Sequence, residues 1–281
     1  MSTKDTLLAL GIAPKKYKGQ NFLSDPGIIA SIVNFAGVTS ADTVVEVGPG
    51  LGILTKALLP RCNRLLVVEI ERAFCDYLEG EITDLAPADI ICDDIRRVTP
   101  EVLKNRLGDG SFNLISNVPY AISSELILWA MEHRHSLKQV VLLLQREFSE
   151  RIAAAPGSRT YGSLSVLTSV YFTAELGMTI SGSAFYPRAD VESRLLRLSV
   201  RPQPVVSIAD EQLFRDVVRA AFGQRRKTLG NAISSSGRWG TKSEVARLLA
   251  SVSIDSSRRA ESLSASEFAR IADAIRENAG D

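Results

Sequence analysis

An α/β fold, with a mostly parallel sheet covered by helices on both faces and followed by a small all-helical domain, is predicted by three observations. Short aliphatic runs alternate with segments of helical period over the first two thirds of the chain, and a glycine-rich turn follows the first run directly. From about Pro204 the strand-like runs stop.

The element before the sheet carries complete end signals. Asp25-Pro26 opens an apolar pattern through Ile28, Ile29, Ile32, Val33 and Phe35 that stops at Gly37, which reads as an N-cap, a proline at N1 and a C′ glycine. Strands are then expected over 43–47, 65–69, 89–92, 112–116 and 139–144, with helices between them. A helix is expected from Gln145 to Ala155, a break at Pro156-Gly157-Ser158, and another helix through Leu164, Leu167 and Val170. Runs 174–180 and 194–200 fit an antiparallel pair closing the sheet. Beyond them Phe214, Val217, Val218, Ala221, Val245, Leu248 and Leu249 keep helical spacing, so the chain divides into domains 1–200 and 201–281.

Composition narrows the function classes. With 281 residues, 45% hydrophobic and 23% charged, the chain has the profile of a soluble globular protein. A net charge of +1 excludes a protein that finds nucleic acid through bulk charge but leaves room for a local basic face. Cys62, Cys75 and Cys92 form no close pair, and His133 and His135 stand in a polar stretch. Reduced thiols, no metal site and a cytoplasmic location are therefore expected. The apolar run 7–13 is followed, not preceded, by Lys15, Lys16 and Lys18, the wrong order for a secretory signal. No run approaches the ~20 apolar residues of a membrane span.

The strand over 43–47 runs into Gly48-Pro49-Gly50-Leu51-Gly52 at the carboxyl edge of the expected sheet, where a ligand meets backbone directly. A dinucleotide loop wants G-x-G-x-x-G, but Ile53 holds the place of its third glycine. The spacing suits a ligand with amino acid and ribose parts, which makes S-adenosylmethionine the expected cofactor and the domain Rossmann-like; the plain alternative is a tight strand-to-helix turn. Glu69, ending the second strand, is placed to accept from ribose hydroxyls, a device dehydrogenases share. One of Asp93 and Asp94 is placed to accept from the adenine amino group, with Asp93 favoured because Ile95 then takes the apolar slot two positions on.

The strand over 112–116 delivers Asn117-Val118-Pro119-Tyr120. An adenine amino nitrogen is a poor nucleophile because its lone pair is delocalised into the ring, so attack on a methyl group needs acceptors that hold its hydrogens out of plane. The Asn117 side-chain carbonyl and a backbone carbonyl near Pro119 are suited to this, with Tyr120 offering a face to a flipped base. Read alone, the same four residues make a turn with a packed tyrosine.

Together these segments resemble the KsgA-type family of small-subunit ribosomal RNA adenine dimethyltransferases. Gly19-Gln20-Asn21-Phe22-Leu23 is similar to the family's N-terminal element, Glu46 to Gly52 to its cofactor loop, and Asn117 to Tyr120 to its catalytic motif. Leu144 to Glu147, Tyr161 to Val166, Ser183 to Pro187 and Ala221 to Leu229 also resemble family segments. The resemblance implies an S-adenosylmethionine-dependent methyltransferase domain with a small C-terminal helical domain. Its cofactor would be lined by Asn21, Leu23, Gly48, Gly50, Glu69, Asp93 and Asn117. Catalysis would fall to Asn117, Pro119 and Tyr120, with Phe185 facing Tyr120 across the target base. Val118 where the family usually has leucine, and Arg188-Ala189 where prolines are common, are the departures.

Arg225, Arg226 and Lys227 are expected to grip RNA phosphates from the helical domain, with Lys15, Lys16, Lys18, Arg146 and Arg151 as further cations. The resemblance implies a monomer acting on two adjacent adenosines of small-subunit RNA in a precursor subunit, with no membrane partner. The alternatives are a large-subunit enzyme of the macrolide-resistance type, a ribosome-assembly RNA-binding factor without catalysis, and a DNA adenine methyltransferase.

Overall fold

The computed structural model describes residues 2–14, 20–86, 89–108 and 110–278. Lys15, Lys16, Lys18 and Gly19 lie outside them. The chain forms two compact units, 1–149 with 173–200, and 150–172 with 201–281.

The first unit is built on a seven-stranded sheet of β2 (Thr43–Val47), β3 (Arg64–Glu69), β4 (Ile90–Cys92), β5 (Phe112–Asn117), β6 (Leu137–Gln145), β7 (Phe172–Ile180) and β9 (Ser193–Val200), in the order β4-β3-β2-β5-β6-β9-β7. β2 pairs in parallel with both β3 and β5, so the strand order reverses at β2. In open parallel sheets a crevice opens beyond the carboxyl ends of the strands at such a reversal, which is where the glycine turn and the Asn117 loop emerge. β9 runs antiparallel to β6. The contacts Thr173 to Ser199 and Glu175 to Arg197 step in opposite senses, as the expected closing pair requires.

Side chains of β2, β3 and β5 are buried on both faces, as in a sheet covered by helices. α2 (Pro26–Ala36) has the anticipated ends: Asp25 Oδ1 accepts from the Gly27 and Ile28 amides, and Gly37 closes it at φ 63°. Its Ile29, Ile32 and Val33 join Val44, Leu65 and Val67 in the main core.

Two local features escaped the pattern. α1 (Thr3–Ala9) occupies part of the N-terminal apolar run, and its buried Leu7 packs with Leu51 of the glycine turn and Phe74 of α4 (Arg72–Glu81). β1 (Phe22–Leu23) and β8 (Phe185–Tyr186) form a two-stranded antiparallel pair with Phe22 opposite Tyr186 and Leu23 opposite Phe185. The expectation of three free thiols is also corrected. Cys75 of α4 and Cys92 at the end of β4 are joined in a disulfide, with Cα atoms 6.1 Å apart, because α4 returns the chain to the β4 edge.

The second unit is helical, with α8 (Ser163–Tyr171), α9 (Glu211–Phe222), α10 (Leu229–Ser234), α11 (Lys242–Ser251) and α12 (Ala265–Asn278). A single boundary at 200 is corrected here: residues 150–172 fold with the C-terminal helices. The reason is apolar packing, since Tyr161 meets the Phe222 ring edge-on at 6.0 Å and Phe222 lies 6.0 Å from Phe268. Among the described residues no helix is long and apolar enough to cross a membrane.

Candidate active site

A cavity of about 350 Å³ opens at the carboxyl edge of the sheet, a volume in the range of small-molecule sites. Its lining includes Asn21, Leu23, Gly48, Gly50, Glu69, Asp93, Asn117, Pro119 and Tyr120. Nine of the expected cofactor and catalytic positions thus come together.

The glycine turn forms one wall. Gly48 and Gly50 take φ 67° and 54°, in the left-handed region that side chains disfavour. A Cβ on Gly50 would also lie 2.9 Å from the Phe22 ring. The turn therefore presents bare backbone to whatever fills the cavity. Its Gly50 amide donates to Glu69 Oε2 at 3.1 Å, while the Glu71 amide donates to Glu69 Oε1 at 3.0 Å. Each carboxylate oxygen keeps a lone pair for a ligand hydroxyl. Burial pushes the Glu69 pKa up, and the Glu71 and Gly50 amides oppose that rise.

The two aspartates separate by role. Asp94 caps the short turn after β4 and is ion-paired with Arg96, which lowers its pKa. Asp93 leaves 48% of its side chain exposed; its Oδ1 accepts from the Asp94 amide at 2.7 Å and lies 3.9 Å from Arg97. Both aspartates line the cavity, and it is the Asp94 carboxylate that Arg96 takes up. Ile70, exposed between Glu69 and Glu71, adds an apolar surface there that sequence reasoning did not single out.

The catalytic loop is tethered at several points. Asn117 donates from Nδ2 to the Asn21 carbonyl at 3.0 Å, leaving its Oδ1 as the acceptor not used by that bond. The Pro119 carbonyl accepts from the Ile122 amide at 3.0 Å, closing a turn and keeping one lone pair. Tyr120 is half-buried, and desolvation raises its pKa.

Phe185 is not among the residues that line the cavity. It is 4% exposed and packs in the main core with Leu23, Ile180 and Leu195. Alternation in the β1–β8 pair puts Leu23 and Phe185 on one face, packed in the core, and Phe22 and Tyr186 on the other, against Leu7, Leu51 and Phe74. Phe22 is the aromatic of this pair that lines the cavity.

Glu46, whose neighbour positions drew attention, is itself part of the lining. It is 2% exposed and its Oε2 has no hydrogen-bond partner among the described residues. Burial, assisted by the Glu69 carboxylate, raises its pKa from 4.5 to about 8. Buried acids beside glycine backbone mark a site made for a ligand carrying both hydroxyl and cationic groups, and S-adenosylmethionine has that donor set.

Residues 13–277 match the family model described as ribosomal RNA adenine dimethylase. The chain belongs to the ribosomal RNA adenine dimethylase family. A relative from Syntrophotalea carbinolica, named ribosomal RNA small subunit methyltransferase A, is 41% identical over 93% of this chain and 97% of its own length. One of the same name from Moorella thermoacetica is 38% identical over 93% and 92%. Among solved structures, a dimethyladenosine transferase from Plasmodium falciparum superposes with a TM-score of 0.74 at 23% identity, covering 92% of this chain and 98% of that one. The 23S rRNA methyltransferase ErmE gives 0.64 at 20%, covering 91% and 100%. Both share the Rossmann-like methyltransferase fold, and the dimethylase family uses S-adenosylmethionine.

In the helical unit, Arg225 does not stand free beside Arg226 and Lys227. Its guanidinium donates to the carbonyls of Arg159 and Tyr161, at 3.2 and 3.1 Å. Arg226 and Lys227 are exposed in the same turn. Arg146, expected as a phosphate contact, is ion-paired with Glu192 at 2.5 Å.

Proposed function

We propose that this protein transfers methyl groups from S-adenosylmethionine to the N6 amino groups of two adjacent adenosines in small-subunit ribosomal RNA, two to each, within a precursor subunit. The observation that carries the reading is the cavity joining the Gly48 to Gly52 turn and Glu69 to Asn117, Pro119 and Tyr120. The full-length relationship to small-subunit methyltransferases supports that substrate over large-subunit RNA or DNA.

Bound in the cavity, the cofactor supplies an electrophilic methyl group on a sulfonium. Glu69 would accept from its ribose hydroxyls and Asp93 from its adenine amino group, with Gly48 and Gly50 allowing close backbone approach and Asn21 and Leu23 completing the wall. Asn117 Oδ1 and the Pro119 carbonyl accept the two hydrogens of the target amino group. That arrangement turns the nitrogen lone pair out of conjugation and toward the methyl group. Tyr120 stacks on the flipped base, an interaction of ~1–3 kcal/mol. The proton leaves after transfer, so no strong base is needed. Arg226 and Lys227 hold phosphates from the helical unit, and the protein acts as a cytoplasmic monomer.

The test is transfer of labelled methyl groups to unmodified small subunits, with large subunits and DNA in parallel and mass mapping of the product. Dimethyladenosine at adjacent small-subunit positions, reduced ~100-fold or more by Asn117→Ala, is expected. Transfer to large subunits or DNA alone would reassign the substrate. No transfer despite binding of cofactor and subunit would leave an assembly role.

A further inference from the structure

A ring that stacks on a flipped base has to be held in place before the base arrives. Otherwise part of the stacking free energy is spent on ordering it. Tyr120 opens a three-residue 3-10 turn after β5, where backbone alone fixes a side chain poorly. Its far end, however, is bonded: the Tyr120 hydroxyl and Ser193 Oγ are 2.7 Å apart.

Ser193 is the first residue of β9, opposite Gln145 of β6, and it is 0% exposed. It does not line the cavity, so an effect on transfer would pass through Tyr120. Among the described residues Tyr120 is the one partner of its hydroxyl. The strand around it is clamped on both sides. The Arg146 amide donates to the Glu192 carbonyl at 2.9 Å, and Ser149 Oγ donates to the Arg194 carbonyl at 3.1 Å. At the near end of the ring, Ser123 Oγ donates to the Tyr120 carbonyl at 3.1 Å, and the Val118 amide donates to Leu143 of β6 at 3.3 Å.

We propose that Ser193 is a positioning residue for methyl transfer, fixing the Tyr120 ring against the rigid β6–β9 pair so that its face is preset for the target base. This rests on the reading of Tyr120 as the stacking residue. The geometry suits the task because the phenolic oxygen lies on the axis about which the ring flips. A bond there stops the ring from swinging about χ1 while leaving its face unobstructed.

Single-turnover transfer to unmodified small subunits, at saturating S-adenosylmethionine, is measured for Tyr120→Ala, Tyr120→Phe, Ser193→Ala and the Tyr120→Phe/Ser193→Ala double variant. Cofactor affinity is measured in parallel by calorimetry. Ser193→Ala and Tyr120→Phe are each expected to slow transfer about tenfold with cofactor affinity unchanged. The double variant is expected to be no slower than the slower single, because both changes remove one bond. Slowing in the double equal to the product of the singles overturns the proposal, as do singles at the wild-type rate beside a slow Tyr120→Ala. A wild-type rate for Tyr120→Ala removes the stacking role itself. Should Ser193→Ala fail to fold, Tyr120→Phe removes the same bond with Ser193 intact, and its rate decides.

Discussion

In the α/β unit, residues distant in sequence meet, while in the helical unit residues adjacent in sequence part. Asn21 and Asn117 stand 96 positions apart yet share a 3.0 Å hydrogen bond in one cavity. Arg225, Arg226 and Lys227 are contiguous and all exposed, but the Arg225 guanidinium is tied to the backbone carbonyls of 159 and 161. The cause is geometric. Parallel strands bring their carboxyl ends to one edge whatever the spacing between them, whereas a tight turn sends successive side chains in different directions. A motif at a strand end therefore carries more functional information than a charge run of the same length.

The largest effect expected on the convergent side is at Glu69. Its carboxylate organises the glycine turn through the Gly50 and Glu71 amides, and in the proposed function it also accepts from the cofactor ribose. Glu69→Ala removes those acceptors and leaves buried donors unpaired, a loss of about 2–4 kcal/mol. Calorimetry should then show the S-adenosylmethionine Kd raised roughly 30- to 1000-fold. Unchanged affinity would mean that convergence on the cavity does not report cofactor binding for this residue.

Glu46 gives the next effect, and its sign can be fixed. An acid whose pKa rises from 4.5 unfolded to about 8 folded binds more protons in the native state between those values. Stability is therefore greatest below pH 4.5 and falls as pH rises toward 8. The Thr55 hydroxyl opposes the shift but sits outside hydrogen-bonding geometry, so it does not satisfy the carboxylate. Glu46→Gln should flatten this slope and stabilise the cofactor-free protein at pH 8 by on the order of 4 kcal/mol. Denaturant midpoints at pH 5 and pH 8 measure it. An unchanged slope in Glu46→Gln would assign the dependence to Glu69 instead.

What was legible follows the same division. Strand β2, the ends of α2 and the glycine turn each carry local signals of period, cap and backbone conformation, and each stands where those signals put it. The β1–β8 pair has two residues per strand and joins positions more than 160 apart in the chain, too short for any period to register. Its pairing nevertheless decides that Leu23 and Phe185 share one face, and Phe22 and Tyr186 the other. Helices are expected on both sides of the 156–158 break and form over 146–152 and 163–171, the first ending at Ile152 and not at Ala155, but nothing local to them specifies which unit buries their apolar faces. Ser193 likewise reads as one more strand position until the Tyr120 hydroxyl is found beside it.

The smallest effects sharpen the basic turn. Arg225 is exposed at its edge, so its two bonds to backbone carbonyls contribute about 1 kcal/mol, and Arg225→Ala should lower the midpoint of unfolding by a few degrees. Arg226 and Lys227 have no comparable anchoring role to lose, so Arg226→Ala/Lys227→Ala should leave that midpoint in place. If they hold phosphates, the pair should weaken binding to unmodified small subunits and reduce the slope of log affinity against log salt by roughly 1.5. Comparing the two variants in one salt titration separates the roles. Arg225→Ala alters stability with little change in slope, because a cation held by carbonyls releases few counterions from RNA. A slope change from Arg225→Ala matching that of the pair would restore the whole triplet to the RNA surface, and adjacency in sequence would then have been the better guide in this unit.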